Sequence, residues 1–293
     1  MKLTLKANSK INLLLDITGI KKNGYHKLFT IMQSISLGDI ITVEKIDGEE
    51  ITISCDTEGV PTDKRNIVYK CAEKFFEYAD IKENNGIHIH IEKHTPFCAG
   101  MGGGSADGAA VLCALNKLCE SNLSCEELCD IGFKIGADIP FCIKGGTQRV
   151  QGAGEIMNPV PKLNDNLFVL IAKPHFSVST KLAFQGFDEQ IQPQRADVAG
   201  MIAALEAGNL DEITAKLGNV FEPFCSLEKI SAIKEIMLEQ GAKGALMSGS
   251  GSAVFALFEE KEKAEACAET LRPQMEQVDV VQPLSKGIYE LCE

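Results

Sequence analysis

The run Pro96-Phe97-Cys98-Ala99-Gly100-Met101-Gly102-Gly103-Gly104-Ser105-Ala106-Asp107-Gly108 places four glycines in the five positions 100 to 104. Glycine loses more backbone entropy on folding than any other residue, so this density needs a reason. The run follows an alternating apolar stretch, 87–91 (IHIHI), and precedes a helix-forming one, 109–118 (AAVLCALNKL). Several backbone N–H groups then converge at a helix N-terminus with no Cβ in the way, which is the chemistry of a di- or triphosphate site. A bare strand-to-helix turn would need fewer glycines. No Lys-Ser or Lys-Thr pair follows, as it does in the common P-loop. The spacing fails the GxGxxG dinucleotide pattern, and the HRD and DFG signatures of protein kinases are missing.

Other segments carry weaker signals. Asp138, in Gly136-Ala137-Asp138-Ile139-Pro140-Phe141, is a carboxylate that its neighbours can aim into a site, or an ordinary turn residue. Pro140 predicts an extended Ile139. Lys10 and Asn12, in Ala7-Asn8-Ser9-Lys10-Ile11-Asn12-Leu13, share one strand face by the period of two. Such a lysine either enters a site or faces solvent. Asn23-Gly24-Tyr25-His26 is a turn bearing an aromatic ring and an imidazole, and 247–252 (MSGSGS) reads as a hairpin turn. His88 and His90 alternate with Ile, with His94 close behind. Without a companion carboxylate or thiol they read as a solvated strand face, not as ligands of a structural metal.

Positioning these residues requires a definite set of elements. Residues 3–17 and 40–54 read as strands, 66–79 as a helix with Ile67, Cys71, Phe75 and Tyr78 on its apolar face, and 105–119 as a second helix. The segment 158–166 (NPVPKLNDN) is the best domain boundary. Beyond it come a strand at 167–172, helices near 197–206 and 227–239, and strands at 243–248 and 253–258. A charged helix at 259–271 and a strand at 278–283 follow. Ser226 can cap the helix at 227 and Gly241 end it. The order is β-α-β-β-α-β with an extra helix, the split ferredoxin-like pattern. The expected class is α+β, with domains at 1–158 and 159–293.

Composition sets the remaining bounds. The chain has 293 residues, of which 45 % are hydrophobic, and a formal charge of −12. That length supports two domains with a sizeable core. The acidic balance argues against nucleic acid or an anionic membrane as the main partner. A small anionic ligand, held by local donors, is compatible with it. Eleven cysteines, no CxxC and no apolar opening segment imply reduced thiols and a cytoplasmic location. Cys125 and Cys129, one helical turn apart, read as a buried helix face. No apolar run reaches the ~18 residues of a membrane-spanning helix.

Taken together, these segments resemble the GHMP small-molecule kinases. Within them the chain resembles the branch that phosphorylates a cytidine diphosphate methylerythritol in non-mevalonate isoprenoid synthesis. The matching stretches are 7–17, 23–39 (NGYHKLFTIMQSISLGD), 65–71 (RNIVYKC), 96–110, 136–155, 173–184 (KPHFSVSTKLAF) and 247–258. They occur in family order across nearly the whole chain.

The resemblance implies an S5-like N-terminal domain joined to a ferredoxin-like C-terminal one. It implies ATP with Mg²⁺, and transfer of the γ-phosphoryl group to the 2-hydroxyl of the substrate. It assigns Lys10 and Asp138 as the catalytic pair, with Asp138 accepting the hydroxyl proton and Lys10 neutralising charge. Pro96, Phe97, Cys98, Ala99, Gly100, Met101, Gly102, Gly103, Gly104, Ser105 and Ala106 match the ATP phosphate loop, and Asn66 a position near adenine. Tyr25, His26 and Phe184 match positions around the cytidine, and Asn12 and Thr180 match positions near the alcohol. The metal's ligands stay unassigned, with Ser105 the one candidate.

The sequence departs from the family pattern at Ala106, in place of a second serine, and at Cys98, Gly108 and Lys27. The implied partners are small molecules, without nucleic acid or membrane, for a monomer or homodimer. A kinase for another alcohol is the first alternative, though Tyr25, His26 and Phe184 would then lack a base to hold. An inactive nucleotide-binding regulator is the second, against which the intact Lys10 and Asp138 stand.

Overall fold

The structure is a computed structural model that describes residues 1–20, 26–82, 86–189, 195–225 and 227–291. In chain order the first half holds β1 (Lys2–Ile20), β2 (His26–Lys45), β3 (Ile51–Cys55), α1 (Ile67–Tyr78), β4 (Ile87–Glu92), α2 (Gly103–Leu118), α3 (Cys125–Phe133), α4 (Ile139–Lys144), β5 (Thr147–Gly152) and β6 (Ile156–Pro159). The second half holds β7 (Phe168–Lys173), α5 (Thr180–Asp188), α6 (Val198–Ala207), α7 (Leu210–Ala215), β8 (Gly218–Asn219), α8 (Leu227–Glu239), β9 (Gly244–Met247), β10 (Val254–Phe258), α9 (Lys261–Leu271), β11 (Gln277–Val281) and β12 (Ile288–Glu290).

Two sheets carry the molecule. The first runs β12-β1-β2-β4-β3, with β5 on β2, β6 on β5 and β8 on β1. The second is antiparallel in the order β11-β7-β10-β9. Numbered within its own sheet, that order is 4-1-3-2, as the ferredoxin-like reading requires. Helices α1 to α4 cover one face of the first sheet around Phe75, Ile89, Leu112, Leu115 and Phe141. A second core, with Ile11, Ile31, Val169, Met201 and Phe255, joins the two sheets. A third packs α5, α8 and α9 on the second sheet. Non-directional apolar burial thus holds the halves against each other.

Several expectations are corrected. The run 40–54 is two strands, because Gly48 at φ +97° lets the chain turn between β2 and β3. Ile139 is helical, not extended. Pro140 occupies the first turn of α4, where its missing N–H leaves no bond unmade. Helix α2 starts at Gly103, two residues earlier than the composition suggests. In α1 the buried face is Val68, Cys71, Ala72, Phe75 and Phe76, and Tyr78 is exposed. Cys125 is exposed at the start of α3, while Cys129 is buried. Ser226 lies outside the described residues. Gly241 ends α8 at φ +95°, with Gly241 N–H on Leu238 O and Ala242 N–H on Met237 O, a Schellman closure. No helix among the described residues is long and apolar enough to cross a membrane.

Candidate active site

The glycine-rich segment bridges β4 and α2 with a backbone that side chains resist. Cys98, Gly100 and Gly102 sit at φ +53°, +76° and +70°. Gly102 caps α2 with no side-chain hydrogen bond, so the first N–H groups of the helix stay open to an external acceptor. A Cβ on Gly102 would stand 3.2 Å from Lys10 Cε and 3.7 Å from Asp138 Oδ2. The missing Cβ leaves a gap beside both residues. Pro96 is buried, whereas Phe97 and Cys98 are exposed at the mouth. Ala106 is fully buried. Gly108 has its own reason, since a Cβ there would lie 2.8 Å from both Cys71 Sγ and Ile67 Cγ2.

Lys10 is 3 % exposed. Its Nζ donates to Asn12 Oδ1 at 2.6 Å and Gly100 O at 2.9 Å, and lies 3.7 Å from Asp138 Oδ2. A buried ammonium needs such partners to offset its lost hydration. Asn12 Nδ2 donates in turn to Thr30 Oγ1, which donates to Leu14 O. The β1–β2 register shifts between Asn8 and Lys10 and again between Asn12 and Leu14. Two bulges therefore aim this short segment into the cleft. Asp138 begins α4 with a third of its side chain exposed. One carboxylate oxygen faces the buried cation while the group remains open to a ligand. Ser105, on the first turn of α2, faces Gly136, where a Cβ would stand 3.8 Å from its Oγ.

The opposite wall comes from the second half. Gly100 and the β9–β10 turn are in direct backbone contact, as a Cβ on Gly100 would lie 2.2 Å from Ser248 O. Ser248 Oγ donates to Gly100 O at 3.1 Å, and Ala253 N–H to Ala99 O. Asn219 of β8 holds the turn by donating to Met247 O and Gly249 O. Thr180 Oγ1 is 2.9 Å from Ser250 Oγ, which joins α5 to the same turn.

Further along α5, His26 packs on Phe184 at 4.6 Å between ring centroids, and its Nε2 is 2.6 Å from Asp188 Oδ1. Phe184 meets Phe221 edge-on. Tyr25 lies outside the described residues. Asn66 is spent locally. Its Oδ1 caps α1 at Val68 N–H and its Nδ2 donates to Pro61 O.

The structure thus gathers Lys10, Asn12, Asp138 and the loop at one point, and Phe184 and Thr180 along α5 with His26 of β2 packed against Phe184. Sequence reasoning missed Asp188, Asn219 and Lys173. Lys173 is buried, and donates to Pro174 O, Phe176 O and Glu276 Oε2 to fix the chain entering α5. A polar residue at the end of the apolar run LFVLIA was the available signal for Lys173; nothing local marks Asp188. His88 and His90 bond to Thr52 and Ser54 of β3. Among the described residues, no group of three or more His, Cys, Asp or Glu could hold a metal.

Known proteins share both the sequence and the shape. The GHMP kinases N terminal domain model matches residues 66–146, and the GHMP kinases C terminal model residues 201–277. A 4-diphosphocytidyl-2-C-methyl-D-erythritol kinase of Clostridium perfringens is 42 % identical over 279 residues, 94 % of this chain and 96 % of the relative. One of Caldicellulosiruptor bescii is 42 % identical over 92 % and 93 %. A crystal structure of 4-(cytidine 5'-diphospho)-2C-methyl-D-erythritol kinase matches with TM-score 0.79 at 28 % identity, covering 96 % of this chain and 99 % of that one. A homoserine kinase from Cytophaga hutchinsonii matches with TM-score 0.80 at 22 % identity, covering 99 % and 97 %. Shape alone therefore does not separate the alcohols these folds act on; the sequence identity does.

Proposed function

The chain belongs to the 4-diphosphocytidyl-2-C-methyl-D-erythritol kinases, within the GHMP kinases, and we propose how its residues carry out that reaction. It is an ATP-dependent kinase whose acceptor is the 2-hydroxyl of 4-diphosphocytidyl-2-C-methyl-D-erythritol. The loop Pro96–Ala106 holds the ATP phosphates on the open N–H groups of α2, and Asn66 stands at the adenine end through its cap of α1. We assign the nucleotide half to 1–158 and the second half to 159–293, with β12 returning to the first sheet.

Phosphoryl transfer has a loose transition state, so positioning and charge stabilisation do most of the catalytic work. Asp138 orients the attacking hydroxyl and takes its proton as the bond to phosphorus forms. Aspartate is a weak base but a good orienting acceptor. Lys10, 3.7 Å from Asp138, stabilises charge on the transferred group, and Asn12 and Thr180 hold the alcohol. Phe184, Tyr25 and His26 take the cytosine ring. Mg²⁺ bound with ATP would neutralise charge developing on the phosphates, and Ser105, at the loop's end, is the candidate residue that would hold it.

The convergence of Lys10, Asp138 and Gly102 carries this reading. Phosphorus NMR of the product made from ATP and 4-diphosphocytidyl-2-C-methyl-D-erythritol tests it. A new phosphomonoester on the 2-hydroxyl is expected. A phosphate on any other hydroxyl would overturn the placement of the alcohol.

A further inference from the structure

Behind the phosphate loop lies a buried charge cluster that the mechanism does not use. Asp39 on β2 is fully buried and Asp107, the fifth residue of α2, is 4 % exposed. Lys93, just past β4, reaches both: its Nζ bonds to Asp39 Oδ2, and to Asp107 Oδ2 at 2.9 Å. The other Asp39 oxygen accepts the backbone N–H groups of His94 and Thr95, each at 2.7 Å. Asp39 therefore grips the two residues before Pro96 and, through Lys93, helix α2 at Asp107. A Cβ on Gly103 would stand 3.0 Å from Thr95 Cγ2 and 3.6 Å from Asp39 Oδ2, so the first turn of α2 rests on this cluster.

Stability does not account for it. Replacing a buried ionic triad by apolar residues of similar volume is often neutral or stabilising. A loop with three residues in the left-handed region cannot fix its own ends. We propose that Asp39, Lys93 and Asp107 form a clamp that sets the separation between the two ends of the phosphate loop, and so are positioning residues for the nucleotide and not for the alcohol. The proposal rests on the assignment of loop 96–106 to ATP.

The three members are not equivalent. Asp39 uses both oxygens on three donors, Lys93 Nζ and the His94 and Thr95 amides; Asp107 uses only one oxygen. Asp107 Oδ1 is buried without a hydrogen-bond partner. Burial, and then the Asp39 charge, hold the Asp107 carboxyl well above the usual carboxylate range against the pull of Lys93. An amide at 107 keeps the oxygen that Lys93 needs.

The test measures binding of a non-hydrolysable ATP analogue with Mg²⁺, and separately of 4-diphosphocytidyl-2-C-methyl-D-erythritol, by calorimetry on the full chain, with melting temperatures recorded. Asp107→Asn should bind the analogue within about twofold of wild type. Asp107→Ala should weaken it about tenfold, as expected for a lost charge-assisted hydrogen bond, and Asp39→Asn by at least as much. Affinity for the alcohol should stay within about twofold in all three. If Asp39→Asn does not fold, the two Asp107 variants decide. A lowered melting temperature with unchanged analogue binding in Asp107→Ala would overturn the clamp, as would equal losses for both ligands. Failure of the wild type to bind the analogue would instead overturn the loop assignment on which the clamp rests.

Discussion

The two walls of the cleft are built differently. The first, from Lys10, the loop 96–108 and Asp138, is set by backbone conformation and buried charge. Its lysine is sealed among Asn12, Gly100 and Asp138, and Gly100 and Gly108 leave no room for a side chain. The second, from His26 at the start of β2, Thr180 and Phe184 on α5, and the turn 248–252, is set largely by side chains. Asp188, which partners His26, is nearly half exposed. On the proposed reading, the chemistry shared by kinases of many alcohols sits on the rigid wall, and most recognition of one alcohol, Asn12 apart, sits on the wall that side-chain changes can rebuild.

If that division holds, changes in the first wall should lower turnover and changes in the second should weaken substrate binding. The largest effect is expected at Asp138. Asp138→Asn should lower kcat ~1,000-fold with little change in either KM. Near-normal turnover, measured by steady-state ADP release, would remove Asp138 from the chemistry.

Gly100→Ala tests the seam between the walls. The new methyl would meet Ser248 O in a left-handed backbone. Stability to urea should fall by ~1–3 kcal/mol, with kcat/KM falling alongside. Unchanged stability would mean that the turn 248–251 yields freely.

Phe184→Ala should raise KM for the cytidine-bearing alcohol about tenfold, the loss of one stacking face, and leave KM for ATP alone. A matching rise for ATP would dissolve the distinction between the walls. Asp188→Asn should be milder, with at most a roughly fivefold rise in the same KM, because exposed pairs contribute little.

The smallest effect concerns pH. The Asp107 carboxyl is raised above its unfolded value of ~3.9, so the folded state retains a proton that the unfolded chain releases. Stability from this site is full below that value and declines as pH rises toward the folded one. Asp107→Asn removes the decline. Its stability relative to wild type should therefore improve from pH 5 to pH 8 in urea titrations. A relative loss over that interval would contradict the sign.

Much of this was legible in the chain. The loop, the Lys10–Asn12 face and the 4-1-3-2 sheet follow from glycine density, period two and element order. Strand β2 was harder. Thr30, Gln33, Ser34 and Asp39 are polar yet buried, so they break the apolar pattern that marks a central strand. Two of those residues serve the site: Thr30 supports Asn12, and Asp39 holds the residues leading into the loop. The partners joining distant segments, Asp188 to His26 and Asn219 to the turn at 247–249, carry no local signal because tertiary contact alone defines them.

A coupled ADP-release assay with Mg²⁺ and ATP, offering 4-diphosphocytidyl-2-C-methyl-D-erythritol, mevalonate, homoserine and galactose in turn, tests the central claim most directly. Turnover with the first alone is the predicted result. Turnover with one of the others and not with the first would keep the rigid wall and contradict the assignment of the second.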